Sequence, residues 1–301
     1  MKVLFILAAI ACLFPFINGP IALVGGFLFA HFLGHPFLSS NPKVVKWLLK
    51  IAIVGLGFGI NIQEAMLAGK DGFALTVCSI SLILILGFFI GKCLNIHQKI
   101  THLISSGTAI CGGSAIAAIA PVIKASEKDI SISLGVVFFL NSIALITFPT
   151  IGHFLSLTQY QFGLWAAIAI HDTSSVVGAA AAYGEEALNV ATTVKLARAL
   201  WIIPLSIISI YLFKGKNSAV KIPWFILLFV IAISMNSYLD LPSLLTRSIT
   251  TASKSMLVLT LFLIGAGLSI EKIKAAGWKP MGLGLILWII ISIGSLLIIL
   301  I

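Results

Sequence analysis

The chain has 301 residues, of which 60% are hydrophobic and 9% are charged, and its formal net charge is +10. A soluble globular domain carries about 25% charged residues, so this composition cannot supply a water-facing surface and excludes an ordinary soluble protein. The lysines cluster between apolar segments, so the positive charge indicates a membrane topology rather than a nucleic-acid partner.

Apolar segments follow one another along the whole chain. A run of about 17 to 25 apolar residues is long enough to cross the ~30 Å hydrocarbon core of a bilayer. Uninterrupted segments of this kind predict nine membrane spans. They cover Val3–Ile17, Pro20–Phe37, Val45–Met66, Gly72–Leu94, Ile130–Phe154, Ala191–Phe213, Ile222–Tyr238, Ser253–Ile270 and Gly277–Ile301.

The first of these segments has the outline of a secretory signal, because Lys2 precedes an apolar stretch. Phe14-Pro15-Phe16 is bulky where a cleavage site needs small residues. We therefore expect a short first span that the mature protein retains.

Two further apolar segments are interrupted in the middle by glycine and polar residues. Thr101–Ala125 contains Ile-Cys-Gly-Gly-Ser at 110–114, and Phe162–Tyr183 contains Ile-His-Asp-Thr-Ser-Ser at 170–175. A break in a membrane helix exposes backbone groups that hydrocarbon cannot satisfy, so it is tolerated only where protein encloses it or it lines a cavity. Each segment is therefore predicted to be either a broken helix that crosses fully or a re-entrant hairpin, and the chain has about nine to eleven membrane segments.

The distribution of charge predicts the orientation, since short cytoplasmic loops retain lysine and arginine. The N-terminus is expected in the cytoplasm and the C-terminus outside. The lysines placed on the cytoplasmic side are Lys43, Lys46, Lys50, Lys92, Lys99, Lys214, Lys216, Lys221, Lys272, Lys274 and Lys279. The opposite side receives the uncharged loop Gly152–Gln161, the acidic pair Glu185-Glu186 and Lys70-Asp71, with Arg247 in the Asp240–Lys254 loop as a mild exception.

Weak internal similarity suggests an inverted repeat. Gly57-Phe-Gly-Ile-Asn-Ile62 is echoed by Gly265-Ala-Gly-Leu-Ser-Ile270, and Ala109–Ser114 is echoed by Ala169–Ser174. The copies run in opposite directions under the predicted topology, as is typical of many secondary transporters. We expect one transmembrane domain over residues 1–301, with approximate repeat halves 1–154 and 155–301.

The first break places small and polar residues at the start of a helix. Gly112 and Gly113 let the chain turn with little steric cost, and Ser114–Lys124 is predicted to be the helix that follows. Free N–H groups at a helix start can bind an anion. The candidate binding residues are Thr108, Cys111, Gly112, Gly113 and Ser114. In the alternative interpretation, the glycines only permit close helix packing.

The second break carries an ionisable pair and three hydroxyl groups. Ionisable residues within a membrane segment usually mark a transport pathway or a proton relay, because burying them there is costly. His171 and Asp172 are the candidates for ion coupling, and Thr173, Ser174 and Ser175 are candidate substrate ligands. The alternative is a polar patch at the membrane interface.

Lys195 and Arg198 stand three residues apart in one predicted span, so they share a helix face. Both are candidate substrate-binding residues that attract an anion. They could instead neutralise Asp172, Glu185 or Glu186. A third interpretation is that both side chains snorkel to the outer interface from the first turns of the span.

The segment Gly107-Thr-Ala-Ile-Cys-Gly-Gly-Ser-Ala-Ile-Ala-Ala-Ile-Ala-Pro-Val-Ile-Lys124 resembles the signature of the YeiH-type family of integral membrane proteins. The similarity in organisation covers essentially the whole chain. It implies an inner-membrane protein distantly similar to the cation/proton antiporter and anion transporter superfamily, with inverted repeats and broken helices that meet near the membrane centre. Sulfate export is inferred for a few members of the family. The family usually has Glu at the position of Asp172, so the shorter side chain here bears on the coupling chemistry.

These observations predict an all-α polytopic membrane protein with an inverted-repeat secondary-transporter fold and two broken or re-entrant helices. The expected function is transport of a small anion, with sulfate or sulfite export as the candidates and a proton or another ion as the coupling partner. A sodium/proton-type cation antiporter and a non-transporting ligand sensor are the alternatives. We expect no catalytic activity, cofactor, metal or nucleic-acid partner; the partners are the substrate, the coupling proton or sodium ion, and bacterial inner-membrane lipid, and a homodimer is allowed.

Overall fold

The computed structural model describes residues 1–14, 17, 19–213, 224–239, 241–267 and 277–301, and this part of the chain is helical without a strand. Its helices are α1 (Lys2–Ala11), α2 (Gly19–Leu33), α3 (Asn41–Leu56), α4 (Ile62–Cys93), α5 (Gln98–Ala109), α6 (Gly113–Val122), α7 (Glu127–Phe154), α8 (Gln159–Ala169), α9 (Thr173–Tyr183), α10 (Glu185–Ala199), α11 (Ile202–Leu212), α12 (Trp224–Tyr238), α13 (Ser243–Gly267) and α14 (Trp278–Leu300). Some of the predicted features lie outside the described residues. They are the cytoplasmic lysines Lys214, Lys216, Lys221, Lys272 and Lys274, and the last three residues of the repeated Gly-x-Gly segment Gly265–Ile270.

Within the described residues, five helical stretches are long and apolar enough to cross a membrane. They are Ala65–Cys93, Glu127–Phe154, Glu185–Leu212, Ser243–Gly267 and Trp278–Leu300. The prediction of a polytopic, all-helical membrane protein is therefore confirmed. The predicted span Val3–Ile17 is not matched by a helix of that length, since α1 has 10 residues and rises only about 15 Å.

The prediction of a loop at Lys70-Asp71 is wrong, because α4 runs through both positions. The chain turns earlier instead, at a short 3₁₀ helix over Gly57–Gly59. Asn61 then caps α4 by accepting a hydrogen bond from the backbone N–H of Gln63 (2.8 Å). Polar capping, rather than the charged pair that follows, marks the start of this helix.

Two other helices begin before their predicted spans. α10 starts at Glu185, where the acidic first turn complements the positive end of the helix dipole, and after a turn at 200–201 the chain continues as α11. α13 starts at Ser243, so most of the predicted Asp240–Lys254 loop is helical. As a result, Lys195 lies about three turns into α10 rather than at its outer end.

Both interrupted segments fold back on themselves as helical hairpins. In the first, α5–α6, the Lys99 ammonium donates to the carbonyl of Lys124 at 2.6 Å, so the two ends of the segment lie together. In the second, α8–α9, the Tyr183 hydroxyl donates to the Leu157 carbonyl at 2.6 Å. The breaks predicted at 110–114 and 170–175 therefore form the tips of two hairpins.

The hairpins start from opposite ends of α7. This helix has 28 residues and is about 42 Å long; the first hairpin leads into its N-terminus and the second follows its C-terminus. The packing agrees with this order, since a Cβ atom at Gly107 would lie 3.2 Å from Val137 and one at Gly178 would lie 2.8 Å from Leu145. The two tips consequently converge on the middle of α7.

A second group of helices packs through glycine. A Cβ atom at Gly26 in α2 would overlap the carbonyl of Phe262 in α13, and one at Gly265 would overlap the carbonyl of Leu23. At Gly57, a Cβ atom would lie 2.9 Å from Ala232 in α12. The first glycine of each Gly-x-Gly echo therefore permits close helix packing, as small residues do in membrane proteins.

Candidate functional site

The two hairpin tips meet at Gly112 and Asp172. A Cβ atom at Gly112 would lie 3.2 Å from the Cα atom of Asp172. Gly112 itself has φ +62°, a backbone conformation that residues with a side chain rarely adopt. Glycine is thus required twice at this position, for the turn of the first hairpin and for its contact with the second.

Replacing Gly112 with alanine is expected to destabilise the protein by about 1–3 kcal/mol, the typical cost of an unfavourable backbone conformation. The added methyl group would also press on Asp172. Gly282→Ala is a matched control, because no atom of the described residues lies within 4 Å of a Cβ atom at that helical position. Thermal unfolding of the detergent-solubilised proteins measures both changes, and a Gly112→Ala variant as stable as the control would contradict the described contact between the tips.

Asn141, in the middle of α7, holds the second tip. Its side-chain oxygen accepts hydrogen bonds from the backbone N–H groups of His171 (3.0 Å) and Asp172 (3.3 Å). Asn141 is 2% exposed. It satisfies two donors that the break in the helix leaves without helical partners.

Lys195 caps the helix that leads into the second tip. Its ammonium donates to the carbonyls of Ala167 (3.1 Å) and Ile170 (2.7 Å), at the C-terminal end of α8. A cation at this position complements the negative end of the helix dipole. Lys195 therefore stabilises the break in the second hairpin by replacing the hydrogen bonds that its carbonyls lose.

Arg198 has the same role in the first hairpin. Its Nε donates to the carbonyl of Ala109 at 2.7 Å, at the C-terminal end of α5. One face of α10 thus carries two cations, and each binds the end of one half-helix. Both side chains have no exposed surface.

The burial and contacts of Lys195 and Arg198 bear on the interpretations of the pair, and Lys195 lies close enough to Asp172 for their charges to interact. The snorkel interpretation is wrong, because both side chains are fully buried. Glu185 is paired with Lys254 at 2.8 Å near the protein surface, and Glu186 forms no ion pair within the described residues. Lys195 and Arg198 donate their hydrogen bonds to backbone carbonyls. The two residues therefore bind the ends of the broken helices directly.

Asp172 is the N-cap of α9. Its carboxylate accepts hydrogen bonds from the backbone N–H of Ser174 (3.1 Å) and from the Ser174 hydroxyl. The positive end of α9 is consequently occupied by a side chain of the protein itself. An anion that binds at Thr173–Ser175 has to compete with this carboxylate.

The other tip has no such cap. The N-cap of α6 is Gly112, which has no side chain, and α6 begins at Gly113, one residue before its predicted start. Cys111 is buried at this tip, whereas Ser114 is exposed on the outer side of α6. Ser114 is therefore the predicted site residue that the fold turns away from the contact between the tips.

Several fully buried polar atoms around the tips make no hydrogen bond to the part of the chain that the structure describes. They are Ser106 Oγ, Thr108 Oγ1, Asn141 Nδ2, His171 Nδ1 and Nε2, Thr192 Oγ1, Thr193 Oγ1, and Arg198 Nη1 and Nη2. Buried polar groups normally have a partner, so these atoms mark the region as a candidate ligand site. Most of these atoms can donate a hydrogen bond. They suit an anion, because an anion accepts hydrogen bonds.

The sequence places Asn141 deep in an apolar span and favours a hydrogen bond to another helix as its role. The structure confirms such a bond, which Asn141 forms with the backbone of the second tip. The polar groups at Thr192 and Thr193 were missed. Their one available signal is their position on the helix that carries Lys195.

Helices long enough to cross a bilayer, and two facing hairpins around a buried polar centre, define a polytopic helical membrane protein. Comparison with known proteins gives its family. The chain matches the model described as conserved hypothetical protein 698 over residues 5–284 and belongs to that family. The family is the one that the Gly107–Lys124 signature indicates, so the recognition of the YeiH-type family is confirmed.

Relatives from several bacteria match almost the full length. A UPF0324 membrane protein of Photobacterium profundum is 53% identical over 293 residues, covering 97% of this chain and 90% of the relative. A UPF0324 membrane protein of Bacteroides thetaiotaomicron is 50% identical over 283 residues, covering 93% of this chain and 86% of the relative. A UPF0324 membrane protein of Shewanella oneidensis is 48% identical over 295 residues, covering 98% of this chain and 93% of the relative. No solved structure matches the chain.

Proposed function

We propose that the protein is a secondary transporter of a small anion and that the substrate binds at the meeting point of the two hairpin tips. The observation that carries the proposal is the pair Lys195 and Arg198, two fully buried cations on one helix face at the ends of both broken helices. Broken helices that meet near the bilayer midplane form the substrate sites of many secondary transporters. The unpaired donors nearby support an anionic substrate, and sulfate and sulfite are the first candidates.

The proposal includes an inverted repeat. The first hairpin and the helix after it cover residues 98–154, and the second hairpin with α10–α11 covers residues 159–212. The two units follow each other directly and are of nearly equal length. Their hairpins start from opposite ends of α7. This arrangement supports two structural copies with opposite orientation in the membrane.

Asp172 and His171 are proposed as the coupling groups. Protonation of the Asp172 carboxylate removes the negative charge that caps α9 and weakens its hold on the N–H of Ser174. That donor then becomes available to the substrate anion. A proton and an anion would in this way bind together at one site and be released together.

The alternative of a sodium antiporter is less well supported by the contacts. In transporters that bind sodium, the ion is often held by carbonyls at the ends of broken helices. Here the carbonyls of Ala109, Ala167 and Ile170 already bind the side chains of Lys195 and Arg198. These tethered cations occupy the positions that a sodium ion would need.

The proposed location is the bacterial inner membrane, with the N-terminus in the cytoplasm. Under this orientation the open end of the first hairpin, near Lys99 and Lys124, faces the cytoplasm. The open end of the second, near Leu157 and Tyr183, faces the outside. The substrate site then lies between two hairpins that are inserted from opposite sides.

Purified protein in liposomes tests the proposal. We expect uptake of labelled sulfate or sulfite that responds to an imposed pH gradient, and we expect Asp172→Asn to lose the pH response while it still binds the anion. Ser142→Ala is the matched control, since the Ser142 hydroxyl donates to the Phe138 carbonyl of its own helix. Flux driven by sodium alone would favour the antiporter, binding without flux would favour a sensor, and neither binding nor flux of any small anion would contradict the proposal.

A further inference from the structure

Three charged side chains lie around the contact between the hairpin tips. Lys195 and Arg198 have no exposed surface, and the carboxylate of Asp172 is partly buried beside them. Cys111, at the first tip, lies close enough to all three for their charges to act on it. The three charges therefore belong to the site at which the proposed substrate binds.

These charges act on a ligand through space and need no direct contact with it. The interaction between two charges grows as the surrounding medium becomes less polar, and protein encloses the tips. An unbalanced charge in such surroundings is costly, above all in the interior of a membrane. The loaded site is consequently most stable when the charges of the protein, the substrate and any bound proton cancel.

The empty site carries one net positive charge. In their ordinary states at neutral pH, Lys195 and Arg198 are cations and Asp172 is an anion, while the Cys111 thiol and the His171 ring are neutral. Neither ring nitrogen of His171 has a hydrogen-bond partner within the described chain, and both cations lie nearby. Protonation of this ring would add a third positive charge to the same site.

Other titratable residues on the helices that pack against α9 are exposed or partly exposed, in contrast to Lys195 and Arg198. They are Glu127, Lys128, Asp129 and His153 of α7, Glu185 and Glu186 of α10, Arg247 and Lys254 of α13, His31 of α2 and Tyr183 of α9 itself. Solvent screens charges at the surface much more than buried ones. The balance of charge at the tips therefore depends on the three central residues.

This balance selects a number of protons for a substrate with two negative charges. Sulfate alone would leave the site with one excess negative charge. One proton on the Asp172 carboxylate brings the total to zero. A second proton, for which His171 is an acceptor at the same tip, would leave one positive charge. Neutrality is thus reached with one proton for each sulfate ion.

We infer that the transporter carries one proton with each sulfate ion, so that every turnover moves one net negative charge across the membrane. The inference rests on the proposed function and adds its stoichiometry and its source of energy. A membrane potential that is negative inside drives this charge outward and favours export. A pH gradient that is acid outside favours the opposite direction, because the proton moves together with the anion.

Purified protein in liposomes with valinomycin tests the inference, because a potassium gradient then sets the membrane potential. The measured quantity is the ratio of labelled sulfate inside to outside at which net flux stops, and it does not depend on the orientation of the protein. At equal pH, an about tenfold excess of potassium outside should hold an about tenfold accumulation of sulfate, the ratio for one charge. At zero potential, an about tenfold excess of protons outside should hold the same accumulation.

Asp172→Asn should change the stoichiometry in a defined way. Asparagine caps a helix as well as aspartate does, so the bond to the backbone N–H of Ser174 is kept. Its amide takes up no proton at neutral pH, and Lys195 and Arg198 then balance both charges of sulfate. The same potassium gradient should hold an about hundredfold accumulation in this variant, and the proton gradient should have no effect.

Glu186→Gln is the matched control. It also removes one carboxylate, but Glu186 is exposed in the first turn of α10. Its position is about 14 Å before Lys195 along the helix. We expect this variant to keep both ratios of the wild type.

The outcomes separate this inference from the proposed function. Sulfate flux that ignores the potassium gradient, or a wild-type accumulation of about a hundredfold, would overturn the inference while anion transport stands. So would transport restricted to anions with a single negative charge, or an Asp172→Asn variant that still follows the proton gradient. If Asp172→Asn does not fold, the two wild-type ratios decide alone. If liposomes show no flux of any small anion, both proposals fail.

Discussion

Replacing Lys195 with methionine is expected to abolish anion transport and to lower the stability of the protein by roughly 3 kcal/mol. Methionine keeps the apolar stem but removes the ammonium group that bonds to the carbonyls of Ala167 and Ile170. A hydrogen bond to a charged group contributes about 1.5–3 kcal/mol, and both carbonyls are left without this partner. The loss falls on the break in the second hairpin, so the geometry of the proposed site changes as well.

Lys254→Met is the control for this prediction. Lys254 forms an ion pair with Glu185, but the two side chains are 39% and 72% exposed, so the pair contributes at most about 1 kcal/mol. Thermal unfolding in detergent and flux in liposomes compare the two variants. A Lys195→Met protein that melts and transports as the Lys254→Met protein does would show that the buried ammonium group has no role in holding the tip.

Replacing Asn141 with leucine is the second change with a large expected effect. Leucine has the same branching at Cγ but cannot accept the hydrogen bonds from the N–H groups of His171 and Asp172. Leaving a buried donor unsatisfied costs about 1–3 kcal/mol. We therefore expect a destabilisation of about 2 kcal/mol or more and a loss of flux, because the second tip is no longer fixed to α7.

The neighbouring residue supplies the control. Ser142 is on the same helix, and its hydroxyl bonds to the carbonyl of Phe138 rather than to a hairpin. Ser142→Ala should keep both the melting temperature and the transport rate. Equal behaviour of Asn141→Leu and Ser142→Ala would mean that the second tip does not depend on α7.

The hairpin breaks could be predicted from the sequence because their composition is unfavourable in a continuous helix that faces lipid. Glycines and ionisable residues in the middle of apolar segments are costly in a bilayer unless protein encloses them. Both breaks lie where Gly112 and Asp172 indicate, and each forms a hairpin tip. Hydrophobicity gave no means to choose between a hairpin and a full crossing, since that choice depends on contacts such as Lys99 with Lys124.

Helix ends were harder to predict. The charged pair Lys70-Asp71 suggested a loop, yet the chain turns at Gly57–Gly59 and Asn61 caps the next helix. A charged residue can be accommodated within a helix, whereas a run with two glycines and a capping side chain favours a turn. The local capping pattern was therefore a better guide to this boundary than the charges.

The roles of Lys195 and Arg198 could not be derived from sequence periodicity. Their spacing correctly indicated one helix face, but their partners are backbone carbonyls of α8 and α5, far away along the chain. Every residue has such a carbonyl, so no pattern of side chains identifies the ones that a fold leaves free. The sequence indicated that Asn141 bonds to another helix but not to which one, because its partners are backbone N–H groups.

Labelling of single cysteines tests the central claim, that two hairpins enter from opposite sides and meet at their tips. The background replaces the native residues Cys12, Cys78, Cys93 and Cys111 with alanine. Gln98→Cys and Lys128→Cys flank the first hairpin, and Leu155→Cys and Glu186→Cys flank the second. With a membrane-impermeant thiol reagent on vesicles of known orientation, both positions of the first pair should react from one face and both of the second from the other. Reaction of the two positions of either pair from different faces would mean that the segment crosses the membrane, and would contradict the hairpin site.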